Sequence, residues 1–217
     1  MLFNDADRAR IGAAIAAAES RTAGEIVVIA ASELHRYPAT CLSAAALLAL
    51  AVPIAALWLP AGTFGGWSDD GRAATQALEL LIVVQALVFA GTLAVLWFAG
   101  LGRALTPGGL RRDRVHRAAL TQFKARGMAA TTGRTGVLIY IDEPEHIAEV
   151  VADTGIYALV PPDHWGKTIA ALIGGIKAGA PADGVIAAVA LAGDVLAKHF
   201  PPLPGDVNEL PDGLIEI

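Results

Sequence analysis

Residues 80–101, LLIVVQALVFAGTLAVLWFAGL, carry no charged side chain. A helix rises about 1.5 Å per residue, so this run is long enough to cross a hydrocarbon core of roughly 30 Å. In lipid every backbone N–H and C=O must find its partner within the segment, and a helix supplies that. The alternative is the central helix of a soluble protein. Such helices usually keep a polar stripe, whereas here Gln85 and Thr92 are the clearly polar side chains. A second uncharged run, residues 41–59 (CLSAAALLALAVPIAALWL), lies upstream. It is Ala-rich and interrupted by Pro53, which lipid-embedded helices tolerate. Together the two runs predict a transmembrane hairpin, with helices over about 41–59 and 77–101.

Charge orients the hairpin. Arg103, Arg111, Arg112, Arg114 and Arg117 follow the second run, and Arg21 and Arg36 precede the first. The Gly-rich link, residues 60–79, sets Asp69, Asp70 and Glu79 against Arg72. The positive-inside rule then puts both termini in the cytoplasm, with the link outside. The arginines either set this topology or touch anionic headgroups.

Composition agrees: 55% of the residues are hydrophobic and 17% charged, too apolar for an ordinary soluble domain. A net charge of −5 gives no reason to expect a nucleic-acid partner. The single cysteine, Cys41, rules out an intrachain disulfide framework. The acidic, amphipathic first forty residues do not read as a cleavable signal peptide.

Outside the hairpin the periodicities alternate. Asn4 with Asp5 and Asp7 predicts a helix start, and Ile11 and Ile15 give that helix one apolar face ending near Gly24. Residues 25–31, EIVVIAA, predict a short buried strand. After the hairpin a helix is expected over 113–126, with Val115, Ala119 and Phe123 on its inner side. Residues 136–141 (GVLIYI) and 146–152 (HIAEVVA) predict an antiparallel strand pair about a tight turn. A helix begun by Pro161-Pro162-Asp163 would bury Trp165, Ile169, Leu172, Ile173 and Ile176, and another apolar helix spans 183–200. The Pro-rich tail from His199 reads as extended. The expectation is an α/β layered domain, residues 1–38 plus 103–217, interrupted by a membrane hairpin at 39–102.

The order of several short pieces resembles the TPM domain family, named for thylakoid lumen, photosystem II repair and acetylcholine-receptor modulator proteins. They are Thr22-Ala-Gly-Glu25-Ile-Val-Val, Gly136-Val-Leu-Ile-Tyr-Ile and Val151-Ala-Asp153-Thr-Gly155-Ile156. Trp165, His199-Phe200-Pro201 and Asn208-Glu209-Leu210-Pro211-Asp212 complete the set. The likeness is to a bacterial membrane branch with the hairpin inside the domain. It implies an αβα sandwich around a small mixed sheet. It also implies, in some members, acidic metal-binding loops and a suggested phosphatase activity; other members maintain membrane complexes without known chemistry. Those relatives are usually anchored by a terminal segment, and here the membrane part follows the first strand.

Candidate chemistry is scattered carboxylate. No P-loop, GxSxG elbow or HExxH occurs. Asp142, Glu143 and Glu145 with His146 gather at a strand-to-strand turn, and with Asp153 they offer oxygen ligands suited to Mg²⁺ or Ca²⁺. The default reading of the turn acids is a solvated turn that keeps the hairpin soluble. Asp153 either ligates a metal or closes an Asx turn. Glu25, a charge in a β-run, needs a partner, for which Arg134 or His146 is the expectation. Thr131, Thr132 and Arg134 form a polar turn able to meet an anion, and Asp206, Glu209 and Asp212 lie on a solvated tail. The leading expectation is a non-enzymatic, membrane-anchored interaction domain whose partners are the bilayer and membrane protein complexes. The alternatives are a metal-assisted phosphatase and a lipid-sensing or oligomerising hairpin, in which Gly91 and Thr92 allow close packing.

Overall fold

The structure, a computed structural model, describes residues 2–58, 72–128, 131, 133–160, 162–202 and 209–217. Thr132, Pro161, Asp206, Asn208 and the link acids Asp69 and Asp70 lie outside the described residues. The chain divides into two compact units, Met1–Leu34 with Gly109–Ile217, and His35–Gly108.

The first unit is a mixed sheet between helices. Helix α1 (Asp5–Glu19) starts in a capping box: Asp7 N donates to the Asn4 side chain and Asn4 N to the Asp7 side chain. It stops at Glu19, before the expected Gly24, because the next residues turn back toward strand β1 (Glu25–Ala31). All seven residues of β1 are buried. Strand β2 (Gly136–Asp142) lies parallel to β1, with Glu25 opposite Gly136 and Ala31 opposite Asp142. Strand β3 (Ile147–Ala152) returns antiparallel to β2. Beyond the short helix α6 (Thr154–Tyr157) come α7 (Pro162–Lys177) and α8 (Pro181–His199). The tail, expected to be merely extended, forms β4 (Leu214–Glu216), parallel to β1 on its other edge. The sheet order is β3-β2-β1-β4.

Side chains alternate across the sheet, so each face builds its own core. Ile26, Val28, Ala30, Val137, Ile139 and Ile141 pack with Ile11 and Ile15 of α1, Leu172 of α7, and Val185, Val189 and Leu196 of α8. Val27, Ile29, Leu138 and Tyr140 pack with α5 (Gly108–Ala125) through Val115, Ala119 and Phe123. The stripe on α5 is the expected one, but the helix begins five residues before Asp113. The result is an αβα arrangement with a small mixed sheet.

The second unit is a pair of antiparallel helices, α2 (Pro38–Ala56) and α3 (Arg72–Phe98), followed by the short α4 (Gly102–Leu105). Cys41, Ala45 and Ala49 form the buried stripe of α2. Gly100, at φ +66, ends α3 in the left-handed conformation that glycine adopts without strain. Near the chain crossing, a Cβ on Gly102 would come within 2.8 Å of Cys41 Sγ. The Thr40 and Thr106 hydroxyls share a hydrogen bond of 2.9 Å. The Arg36 guanidinium sits 5.2 Å from the centroid of the Trp97 ring. Two spans, Pro38–Ala56 and Thr75–Phe98, are long and apolar enough to cross a membrane.

The tightest crossing joins α7 and α8. A Cβ on Gly175 would lie 2.3 Å from Gly184 Cα, whereas one on Gly174 would meet nothing within 4 Å. Gly175→Ala is therefore expected to destabilise by about 1–3 kcal/mol through overpacking. Gly174→Ala is expected to be neutral or stabilising by up to about 1 kcal/mol, from helix propensity. Melting temperatures of the two variants read the contrast, and equal effects would contradict the close approach.

Candidate functional site

The turn Thr22-Ala-Gly-Glu25 is tied from three sides. The Thr22 hydroxyl donates to Phe200 O at 2.6 Å, Ala23 N donates to the same carbonyl at 3.0 Å, and Gly24 N donates to Thr22 Oγ1 at 3.1 Å. From the β2 side the Thr135 hydroxyl donates to Ala23 O at 3.0 Å, and Glu25 N donates to Thr135 O at 3.3 Å. A Cβ on Gly24 would press Leu196 at 3.0 Å and Thr135 O at 3.1 Å, so only glycine fits there without displacement. This network sets where Glu25 begins the central strand.

Glu25 is 8% exposed. Its Oε1 accepts from Glu209 N at 3.1 Å, and the Leu210 amide also faces the carboxylate. Its Oε2 is buried and has no hydrogen-bond partner among the described residues. Burial pushes the Glu25 carboxyl above its ordinary value, and the negative charges of Glu209 and Asp212 add to the push. Glu19, from the end of α1, comes to the same place. Its Oε1 accepts from Ile26 N at 2.7 Å, its Oε2 is buried with no hydrogen-bond partner among the described residues, and Asp212 lies beside the carboxyl. Burial, followed by Asp212 and Glu25, pushes Glu19 from 4.5 up to about 8, against the Ile26 N–H, which favours the charged form. Glu19, Glu25 and Asp212 thus converge at the start of β1.

The remaining binding candidates lie along the same edge. Glu25 pairs with Gly136, and Asp153 N donates to Gly136 O at 2.9 Å. Asp153 caps α6, its Oδ1 accepting from Thr154 N and from the Thr154 hydroxyl at 2.9 Å. This is the Asx-type closure, with Oδ2 buried and unpartnered among the described residues. Arg134 takes the left-handed region at φ +50, its N–H donating to Thr131 O at 3.0 Å. A Cβ on Gly155 would lie 2.7 Å from Arg134 O, so this turn and the start of α6 touch. Thr131, buried, donates its hydroxyl to Met128 O at 3.3 Å. Glu25, Thr131, Arg134 and Asp153 therefore share one end of the sheet.

The metal set Asp142, Glu143 and Asp153 does not assemble. Asp142 and Glu143 stand at the far end of β2, about 20 Å from Gly136 at roughly 3.3 Å per residue. There Asp142, fully buried, accepts the Glu145 N–H at 3.0 Å and closes the turn into β3. Glu145, also buried, faces Arg111 at 3.4 Å. This is a packed turn with its own cation, and the solvated turn of the sequence reading is corrected accordingly. The expected pairing of Glu25 with Arg134 or His146 is corrected too. The carboxylate is met by backbone amides, and His146, at φ +56, sits in the distant β2–β3 turn.

Sequence reasoning passed over Glu19 and left Asp212 to a solvated tail. One signal was present: an acid in the last turn of a helix opposes the helix dipole, so Glu19 needed another reason to be there. Among the described residues no three His, Cys, Asp or Glu side chains are arranged to hold a metal ion.

The sequence matches no family model and no curated protein. The fold is similar to the NMR structure of BA42 protein from the psychrophilic bacterium Bizionia argentinensis, with a TM-score of 0.58. That likeness covers 99% of this chain and 95% of the other at 20% identity, and it shows the fold alone.

Glu19 makes a pH prediction. A carboxyl raised on folding contributes stability that is fully present below its unfolded value of 4.5 and lost as pH rises through about 8. The melting temperature is expected to fall between those limits, and Glu19→Gln to flatten the fall. An equally steep profile in Glu19→Gln would contradict the assignment.

Proposed function

We propose that this chain is an integral protein of the bacterial inner membrane. Helices α2 and α3 anchor it, and its α/β unit serves on the cytoplasmic side as an interaction domain for membrane protein complexes. The observation that carries the reading is the outward apolar surface of the two helices. Only 17% of the α2 span and 6% of the α3 span is buried, whereas a soluble core helix would be mostly covered. Leu47, Leu50, Ile54, Ile82, Val83 and Leu87 are all exposed. Each large aliphatic side chain left in water forgoes about 1.5–3 kcal/mol of burial, so the surface needs an apolar medium. The arginines after α3 and the acids of the link support a cytoplasmic position for both termini.

The TPM resemblance supports the interaction role. Three pieces that carry it, Thr22 to Glu25, Phe200, and Glu209 to Asp212, lie together at the start of β1. We take that edge as the docking side of the domain. The phosphatase alternative asked Asp153 to share a cation with Asp142 or Glu143, and the length of β2 between them counts against that set.

Membrane insertion is tested by carbonate extraction and thiol labelling in a Cys41→Ser background. The chain is expected to stay in the membrane pellet. Asp69→Cys is expected to react with an impermeant maleimide in intact spheroplasts, and Lys124→Cys only after lysis. Release by carbonate, or the reverse labelling pattern, would overturn the anchor. For the role itself, purification from membranes with partners retained is expected to yield a discrete membrane protein complex. Hydrolysis of phosphate esters with Mg²⁺ or Ca²⁺ that Asp153→Ala abolishes would favour the enzyme instead.

A further inference from the structure

Within the helical unit, an open groove of about 440 Å³ runs between α2 and α3. Its floor and sides are small or apolar: Ala46 and Ala49 from α2, and Ile82, Ala86 and Phe89 from α3. One polar side chain lies among them, Gln85. Gln85 is half-buried, and its amide forms no hydrogen bond among the described residues.

The position of that amide makes the lack expensive. In the span Thr75–Phe98, Gln85 lies within two residues of the midpoint, roughly 2 Å along the helix axis. On the reading of α2 and α3 as membrane spans, on which this inference rests, the amide sits near the bilayer midplane. No water reaches it there, and lipid tails supply neither a donor nor an acceptor. Transfer of an unpaired amide to such a medium costs several kcal/mol. Polar side chains inside a bilayer accordingly face other protein.

We propose that a second copy of this chain seats against this groove. The two Gln85 amides then hydrogen-bond to each other across a two-fold axis near the midplane. Two features select a second copy as the occupant. A carboxamide carries both an N–H donor and a C=O acceptor, so it is its own complement, and a symmetric pair satisfies both sides with two bonds. Gln85 lines the groove itself, so a two-fold operation sets the two grooves, and the Gln85 of each, face to face, as an isologous interface requires. Ala46, Ala49 and Ala86 let the backbones approach, as small residues do wherever helices associate in lipid.

The test uses the full chain in vesicles, labelled as separate donor and acceptor populations for energy transfer and followed by carbonate extraction. Wild type is expected to give concentration-dependent transfer between copies. Hydrogen bonds of this kind are worth about 1–2 kcal/mol in bilayers, so Gln85→Leu is expected to weaken self-association by about tenfold. Gln85→Asn keeps the carboxamide and is expected to retain most of the association. Leu87→Ala, on the outward face, is expected to leave it unchanged. No transfer in wild type that remains in the membrane pellet would overturn the dimer while leaving the membrane anchor intact. Transfer undiminished in Gln85→Leu would overturn the role of the amide. Release of the chain by carbonate would overturn both readings together.

Discussion

The whole α/β unit depends on the burial and pairing of β1. Its seven residues are covered on both faces and its backbone is paired on both edges, with β2 on one side and β4 on the other. A parallel strand so placed cannot use water for its backbone groups, and it cannot reach its neighbours by tight turns. Both partners therefore come from far downstream, and both faces need helices: α1, α7 and α8 on one, α5 on the other. The connection from β1 to β2 is a crossover of unusual content, because it includes the entire helical hairpin before α5.

The same strand explains the acidic edge. Its first residue is a glutamate, so forming the strand brings a carboxylate into the layer between the helices and the tail. Burying a carboxylate without a cation leaves the remaining options of backbone donors and protonation. Both are used. The amides of Glu209 and Leu210 meet Glu25, and burial beside Asp212 pushes the Glu19 carboxyl toward its protonated form. The tail is thereby held at two points along β1, by these contacts at its start and by β4 further along. Arg8 adds a tie from α1, donating to Glu216 of β4 through Nε at 2.9 Å and Nη2 at 2.6 Å. A segment that composition marks as solvated is drawn in because it closes the exposed edge and the exposed end of the central strand.

Elements with a strong period were legible in the residues. The stripe Val115, Ala119 and Phe123 and the apolar side of α7 each specify one buried face, and the continuous apolar run through Gly136–Asp142 specifies a strand buried on both. Strand β4 was not legible: three residues after a Pro-rich stretch are too few for a period, and their pairing is decided by β1. Glu25, Thr131, Arg134 and Asp153 stand out one by one in the residues, and what gathers them at one end of the sheet is the register, which carries Glu25 to Gly136 and Gly136 to Asp153. The metal-assisted reading joins Asp153 to Asp142, two carboxylates from opposite ends of the strand pair. A hairpin that runs down one strand and back up the next keeps such residues apart when one belongs to the turn and the other to the return end. Glu19 and Asp212 were hidden for the opposite reason, being distant in sequence and joined only by the fold.

A strand lying before the hairpin is thus an interior strand of a sheet completed after it. Hydrogen exchange of the full chain, followed segment by segment, tests this most directly. Residues 25–31 and 136–142 are expected to exchange together in one slow, cooperative opening, because neither strand can be released without exposing the other. Fast exchange of 25–31 beside a protected 136–142 would contradict the account.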